Sequence, residues 1–207
     1  MLHVARVGST NDVALALEVR GAPEGTLVVA DEQLSGRGRR GRSWHSPGGG
    51  NLYCSLVLRP GRPQREWPEL SWVVAGAVAL AVGRLGISKV TLKHPNDVLV
   101  GGRKVAGVLL EARSAPGRAG GLVAGIGVNV ARRPTEPSGG LRRPATSLAE
   151  ELGGDVDRGA FLAGVCEALE RLYAAWGMDG APAALADLAA SGVGASAIDA
   201  GPPEGEE

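Results

Sequence analysis

The chain has 207 residues and a formal net charge of zero, with 22 basic and 22 acidic side chains. This length suits one domain with a short appendage, and the balanced charge excludes the global basic field of proteins that bind duplex DNA. Cys54 and Cys166 are the only cysteines and no apolar run reaches membrane-spanning length, so a reducing cytoplasm is the expected location, away from any membrane.

Alternating and continuous apolar runs predict the strands of the N-terminal third. We place three strands there, over residues 2–7, 26–31 and 51–58. A helix is predicted after the first strand, over residues 13–19, and Ser9, Thr10 or Asn11 is its expected N-cap. Capping alone would account for these three polar side chains, and ligand binding is the alternative.

The middle of the chain contains an apolar helix, predicted over residues 70–85, which is too short and too rich in glycine to span a membrane. Further strands are predicted over residues 89–93, 98–100, 104–111 and 122–130, and further helices from residue 146 and over residues 157–176. Gly101-Gly102 is expected to form the tight turn of a hairpin. This order of elements predicts an α+β fold in which helices pack on a mixed, largely antiparallel β-sheet.

One stretch between two predicted strands alternates glycine and arginine. It runs from Gly36 to Arg42 (GRGRRGR), and Trp44 follows it. Glycine lets backbone N–H groups approach a ligand, arginine offers a planar donor fork that matches phosphate or carboxylate, and Trp44 adds a face on which a base can stack. Such a run is also typical of solvated or RNA-binding segments, but its place inside a chain of zero net charge favours a phosphate-binding loop. We expect this loop to be mobile until an anion orders it.

Three more polar clusters fall at predicted strand ends or turns, where sites are commonly built. They are Ser9-Thr10-Asn11, Lys93 with Asn96-Asp97, and Lys104 ahead of an apolar hairpin strand. An edge lysine whose stem lies on apolar surface is the alternative for Lys104. Gly125 and Gly127 interrupt the last strand, where close approach of a ligand is one explanation. The sequence contains no P-loop, no Ser-His-Asp order and no His/Cys metal motif.

Taken in order, these motifs resemble the catalytic domain of biotin protein ligases. The matching residues are Ser9-Thr10-Asn11, Gln33, the run 36–42 with Trp44, Lys93-x-Pro-Asn-Asp97, Lys104-x-Ala-Gly107 and Gly125-x-Gly-x-Asn129. The resemblance covers roughly residues 2–178. We therefore expect a catalytic domain over residues 1–178, followed by a short, disordered tail over residues 179–207 in which residues 181–190 form a weak helix.

The resemblance implies a reaction in two steps. The carboxylate of biotin attacks the α-phosphate of ATP and gives biotinyl-5′-AMP and pyrophosphate. A lysine amine of a biotin carboxyl carrier domain then attacks the mixed anhydride. Mg²⁺ is expected to enter with ATP, without a fixed protein site, and the protein's main tasks are positioning and electrostatic stabilisation.

By the same resemblance, each motif has a role. The residues implied in biotin binding are Ser9, Thr10, Asn11, Gln33, Arg37, Gly38, Arg39 and Lys104. The residues implied in nucleotide binding are Arg39, Arg42, Trp44, Asn96 and Asn129. The residues implied in catalysis are Lys104, Arg39, Asp97 and Lys93. Within this set, Lys104 meets the carboxylate and the α-phosphate, Lys93 holds phosphate or Mg²⁺ together with Asn96, and Asp97 orients the incoming amine.

The chain departs from the family pattern in two ways. His94 stands where the family usually has tryptophan, which affects local packing more than catalysis. Family members normally carry a C-terminal β-barrel, and some carry an N-terminal helix-turn-helix, and neither pattern is found here. We expect biotin to bind and the adenylate to form nevertheless, with weaker transfer to the carrier or weaker affinity for the nucleotide, and no specific binding to DNA.

Other functions stay open on the sequence alone. A lipoate–protein ligase has a similar fold and chemistry, although GRGRRGR and Lys-x-Pro-Asn-Asp favour biotin. A non-catalytic biotin or nucleotide sensor and an RNA-binding module are further alternatives. The sequence also leaves a homodimer open.

Overall fold

A single mixed sheet forms the centre of the protein in the computed structural model, which describes residues 1–112, 120–134, 144–190 and 198–199. The strands are β1 (Leu2–Val7), β2 (Leu27–Gln33), β3 (Leu52–Leu58), β4 (Val90–Lys93), β5 (Asp97–Val100), β6 (Arg103–Ala112), β7 (Leu122–Val128) and β8 (Ile198–Asp199). The helices are α1 (Thr10–Val19), α2 (Leu70–Arg84), α3 (Leu148–Leu152), α4 (Arg158–Asp179) and α5 (Ala181–Ala190), with short 3₁₀ helices at Arg39–Gly41 and Gln64–Glu69. The strand order is β1-β2-β3-β7-β6-β5-β4-β8; the β1–β2 and β4–β8 pairs are parallel and the other pairs are antiparallel. The predicted α+β fold with a largely antiparallel sheet is confirmed.

Local sequence explains where several elements begin and turn. Gly101 and Gly102 take φ values of 55° and 80° between β5 and β6, as the predicted tight hairpin turn requires. The Asp157 carboxylate accepts hydrogen bonds from two backbone N–H groups in the first turn of α4 and so caps that helix. The first helix begins at Thr10 and not at the predicted residue 13, with Ser9 as its N-cap residue.

Two parts of the predicted tail take part in the structure. The helix α5 forms where a weak helix is predicted, and it packs on α4 and α2. Ile198–Asp199 pairs with the end of β4, so these two residues differ from the expected disorder. The predictions for residues 135–143, 191–197 and 200–207 lie outside the described residues. The domain boundary at residue 178 stays a prediction.

The helix α2 is buried on nearly all sides, as its apolar sequence predicts. It packs against β4, β5 and β6 on one side and against α4 and α5 on the other. Its small side chains permit this close packing, since a Cβ on Gly76 would already lie 3.4 Å from the methyl groups of Leu172 and Leu188. Among the described residues, no helix is both long enough and apolar enough to cross a bilayer.

Trp176 ties α4 to the start of α2. Its indole is fully buried, and its Nε1 donates a 2.8 Å hydrogen bond to the Glu69 carboxylate. Trp176→Phe should lower the free energy of unfolding by about 2 kcal/mol, because it leaves a cavity and removes a partner of that carboxylate. Urea unfolding measures the change, with Trp72→Phe, at a partly exposed tryptophan, as the control. A loss no larger than that of the control would contradict this role of Trp176.

The opposite face of the sheet carries α1. Ala14 and Leu15 of this helix pack over Val28, Val57 and Val123. Because side chains alternate along a strand, the residues two and four positions from Val57 and Val123 lie on this same face, beyond the N-terminus of α1. This part of the face includes Ser55 on β3, Gly125 and Gly127 on β7, and the β6 residues that pair with β7, which are Gly107, Leu109 and Glu111. The three glycines, here called the glycine floor, leave space above the sheet.

Candidate functional site

A cleft of about 210 Å³ lies over the glycine floor at the N-terminus of α1. It is enclosed by α1, by residues 36–42 (the arginine loop), by the turn between β4 and β5, and by β6. Nearly all the site residues predicted from sequence line it: Ser9, Thr10, Asn11, Gln33, Arg37, Gly38, Arg39, Arg42, Trp44, Lys93, Asn96, Asp97 and Lys104. The structure therefore brings four separate polar motifs to one place, and the roles of the individual residues stay predictions.

The wall of the cleft at the start of α1 is polar and buried. Ser9, Thr10 and Asn11 are 3%, 3% and 4% exposed, and Ser9 makes no capping hydrogen bond with its side chain. Thr10 donates from its N–H and its hydroxyl to Gln33 Oε1, over 2.9 and 3.0 Å. Gln33 Nε2 donates in turn to Ser46 Oγ over 2.9 Å. Capping therefore does not explain these side chains, which form a pre-ordered wall of hydrogen-bonding groups (the α1 wall).

Two residues that sequence reasoning missed complete the α1 wall. Ser55 is fully buried on β3, and its Oγ lies 2.7 Å from Thr10 Oγ1 and 2.5 Å from Asn11 Oδ1. The Glu111 carboxylate accepts a 2.6 Å hydrogen bond from Asn11 Nδ2. These contacts fix the orientation of the Asn11 amide, because its oxygen faces a hydroxyl and its nitrogen faces a carboxylate. A lone serine inside an apolar strand is the sequence signal for Ser55, and Glu111 has no comparable signal.

The arginine loop closes on itself as a small hairpin. The Gly38 N–H donates to the Arg42 carbonyl over 2.7 Å, and the Trp44 N–H donates to the Gly36 carbonyl over 2.8 Å. Gly41 turns the chain with a φ of 70°, in the region that glycine favours. The glycines of the loop thus permit close backbone contacts and a turn. Mobility of the loop without a ligand stays a prediction.

The arginines of the loop contact both ends of the cleft. Arg37 donates from Nη1 and Nη2 to the two oxygens of Asp12, both over 2.8 Å, and Nη2 also lies 3.0 Å from Glu111 Oε2. Hydrogen bonds to Asp12 and then to Glu111 raise the pKa of the Arg37 guanidinium, which secures its charge. Arg39 Nη1 lies 3.4 Å from Asn96 Oδ1, at the far side of the cleft.

A lysine–aspartate pair lies inside the cleft. Lys104 Nζ is 2.6 Å from Asp97 Oδ1, and the two side chains are 22% and 23% exposed. The same Nζ lies 5.1 Å from the centroid of the Trp44 ring, within cation–π range. The β5–β6 hairpin sets this geometry because Asp97 begins β5 and Lys104 lies near the start of β6. Lys104 is therefore a partly buried cation of the cleft and not an edge lysine on the surface.

The indole of Trp44 lies against the glycine floor. A Cβ on Gly127 would come within 2.6 Å of Trp44 ring atoms, and a Cβ on Gly107 would come within 3.1 Å, so glycine at both positions makes room for the ring. The Nε1 atom of Trp44 is buried, and no residue in the described ranges accepts a hydrogen bond from it. This N–H is therefore a hydrogen-bond donor at the cleft that the described side chains leave available.

Asn129 is the one predicted site residue that does not line the cleft, because the chain leaves β7 just before it and its side chain turns into the interior; its contact with a nucleotide stays a prediction. It is 3% exposed, and Nδ2 donates to the Thr146 carbonyl over 3.0 Å and lies 3.5 Å from the Lys104 carbonyl. Its amide therefore supports the backbone of Lys104. Asn96, by contrast, lines the cleft and anchors its turn by donating from Nδ2 to the Val108 carbonyl over 2.8 Å.

His94 is the departure from the expected motif noted in the sequence. Together with Pro95 it lines the cleft and also an adjoining groove bordered by Trp67 and Trp72. The groove and the cleft share Arg39 as well. The substitution thus falls at the border between the two cavities, away from the α1 wall.

The side chains of the cleft limit its chemistry. Cys54 borders it, but burial raises the pKa of this thiol and keeps it neutral. In the described part of the chain, no group of three or more His, Cys, Asp or Glu side chains is placed to hold a metal ion. The cleft offers hydroxyl and amide groups at one end, with arginine and lysine nearby. The fold and the cleft together suit the binding of a polar small molecule that carries a carboxylate or a phosphate.

Comparison with known proteins gives the family. The model of the biotin/lipoate A/B protein ligase family matches residues 4–129. The bifunctional ligase/repressor BirA of Bacillus subtilis is 37% identical over 81% of this chain and 51% of its own length, and the biotin--[acetyl-CoA-carboxylase] ligase of Paracoccus denitrificans is 39% identical over 84% and 71%. The structure of biotin protein ligase from Aquifex aeolicus in complex with biotin and ATP superposes with a TM-score of 0.73 at 31% identity, covering 86% of this chain and 72% of that one. The chain belongs to the biotin/lipoate A/B protein ligase family, and it spans about half the length of the Bacillus relative.

Proposed function

We propose that this chain is the catalytic domain of a biotin protein ligase, which activates biotin with ATP and transfers it to a lysine of a biotin carboxyl carrier domain. The observation that carries the proposal is the cleft, with its buried polar wall and its group of cations. Biotin has the matching parts, since its ureido ring both donates and accepts hydrogen bonds and its tail ends in a carboxylate. The names of the relatives support the proposal, and the Aquifex structure contains both biotin and ATP.

We assign the ureido ring to the α1 wall. The hydroxyl and amide groups of the α1 wall are already oriented by Gln33, Ser55 and Glu111, so little conformational entropy is lost when a ligand binds. This wall favours biotin over lipoate, because a dithiolane ring has no N–H or carbonyl group to pair with buried polar atoms. Leaving such atoms unpaired would weaken lipoate binding.

The cations of the cleft serve the activation step. A carboxylate oxygen of biotin attacks the α-phosphorus of ATP, and the bond from this phosphorus to the bridging oxygen breaks, so that pyrophosphate leaves with the electron pair. We assign Lys104 and Arg39 to the charge that grows on the α-phosphate oxygens, and Arg42 and Lys93 to the outer phosphates. Lys104 is partly buried and paired with Asp97, so it can stabilise this charge with little reorganisation during the reaction.

The nucleotide is assigned to the part of the cleft beside Trp44, whose ring can stack on adenine. Mg²⁺ enters this proposal with ATP, because phosphate oxygens supply the hard ligands that the ion prefers, and Asn96 adds an amide oxygen nearby. Asn129 contributes indirectly, through the backbone of Lys104.

The second step delivers the carrier lysine to the adenylate. Its amine nitrogen attacks the biotinyl carbonyl carbon, a C–N bond forms, and AMP leaves as the amine loses a proton. We assign Asp97 to the orientation of this amine, since its carboxylate lies beside Lys104 at the reacting end. We expect no specific binding to duplex DNA, since the net charge of the chain is zero.

Biotin-dependent exchange of labelled pyrophosphate into ATP tests the proposal directly. We expect exchange with biotin, and background exchange with lipoate or without an acid. Adding a biotin carboxyl carrier domain should then give a stable amide on its lysine. Exchange that does not depend on biotin, or that lipoate supports equally well, would refute the assignment.

A further inference from the structure

Arg37 makes contacts that an arginine reserved for a ligand would not make. Its Nη1 and Nη2 atoms donate to both oxygens of Asp12 over 2.8 Å, a bidentate pair. Nη2 also lies 3.0 and 3.3 Å from the two oxygens of Glu111. Both terminal nitrogens of the guanidinium are therefore engaged by carboxylates of the protein itself.

These carboxylates join the loop to the recognition wall. Asp12 lies in the first turn of α1, one residue after Asn11. Glu111 lies on β6, and it holds Arg37 and the Asn11 amide at the same time. Asn11 in turn contacts Ser55. The position of the arginine loop and the orientation of the Asn11 amide thus depend on one connected set of hydrogen bonds.

We propose that Arg37, Asp12 and Glu111 form a latch that holds the arginine loop over the cleft, and that the Arg37 guanidinium positions the loop and does not itself contact the ligand. Asp12 and Glu111 then become functional residues of the site, although neither can bind an anion. Arg39, which lacks a carboxylate partner among the described residues, is the loop arginine that meets phosphate. The part of the inference that concerns the ligand rests on the proposed function.

The two roles of Arg37 predict opposite signs for one substitution. If Arg37 bound the anionic ligand directly, Asp12→Asn would remove a competing carboxylate and a nearby negative charge, so biotinyl-5′-AMP would bind more tightly. If Arg37 is part of a latch, the same change loosens the loop, and the adenylate binds more weakly. For a bidentate pair at the protein surface we expect the dissociation constant to rise by roughly threefold to tenfold.

Hydrogen exchange on the protein without ligand tests the latch independently of function. Asp12→Asn, Glu111→Gln and Arg37→Lys should each speed exchange at the loop amides, including the Gly38 and Trp44 N–H groups that close the hairpin. Glu167→Gln is the matched control, because it breaks an exposed ion pair with Arg84 on distant helices. Exchange in the loop that is no faster than in this control would overturn the latch.

Equilibrium binding of biotinyl-5′-AMP then separates the latch from direct contact. The latch predicts weaker binding for Asp12→Asn and for Arg37→Ala, and a double variant that binds no more weakly than Arg37→Ala alone. Tighter binding by Asp12→Asn, or losses that add in the double variant, would overturn it. Failure of the unmodified protein to bind the adenylate would refute the proposed function and the ligand assignment together, whereas the exchange result would still decide the latch.

Discussion

Replacing Lys104 by methionine should slow the formation of biotinyl-5′-AMP by roughly a hundredfold or more, the usual effect of removing one pre-organised group that stabilises transition-state charge. Methionine keeps most of the apolar stem that packs near Trp44 and removes the ammonium group. Biotin binding should weaken less than the rate falls, because Lys104 faces the biotin carboxylate in both states, whereas the additional charge on the α-phosphate oxygens develops only in the transition state. Single-turnover release of pyrophosphate, measured with biotin and ATP saturating, gives the rate.

Two controls give this experiment a clear meaning. Lys89→Met makes the same chemical change at an exposed lysine and should leave the rate unchanged. Lys104→Met also leaves the Asp97 carboxylate without its 2.6 Å partner, so Asp97→Asn and the double variant must be measured as well. If the double variant recovers the normal rate, Lys104 only neutralises Asp97 and its catalytic assignment is wrong.

Most of the fold follows from local signals in the sequence. The β5–β6 hairpin is predictable because Gly101 and Gly102 supply two successive residues with positive φ between apolar strands. The helix α2 is predictable because its apolar residues surround the axis, which suits a helix enclosed by a sheet and other helices. The pairing of β8 with β4 was not predictable, because two residues carry no periodic pattern.

The cleft was less accessible to sequence reasoning than the fold. The motifs could be assigned to one site by resemblance, because residue type and order are visible in the chain. The contacts that connect these motifs are not visible in the chain. Asn11 and Glu111, for example, are 100 residues apart in sequence and meet only through the register of β6 and β7 in the sheet. The roles of Ser55 and Asp12 depend on the same long-range packing, and so does the hydrogen bond from Asn129 to Thr146.

The glycine floor is the basis of the second prediction, a large loss of activity in Gly125→Ala. A Cβ on Gly125 would lie 2.2 Å from Asn11 Oδ1 and 2.9 Å from its Cγ and Nδ2, closer than real Cβ atoms approach other atoms. Asn11 has little freedom to move aside, because Ser55 holds its oxygen and Glu111 holds its nitrogen. Gly125→Ala should therefore displace the amide from the α1 wall while strand β7 persists.

We expect Gly125→Ala to lower kcat/KM for biotin in the exchange reaction by roughly a hundredfold, the scale of a displacement of about 1 Å in a positioning group. Gly83→Ala is the matched control, since a Cβ there meets nothing within 4 Å and alanine suits the helix α2. The decisive comparison uses Asn11→Ala, which removes the side chain that the new methyl group would strike. In the Asn11→Ala background, Gly125→Ala should lower kcat/KM for biotin hardly any further. Two outcomes would show that Asn11 does not require this glycine: reductions in kcat/KM that simply multiply in the double variant, or normal affinity for biotin in Gly125→Ala alone.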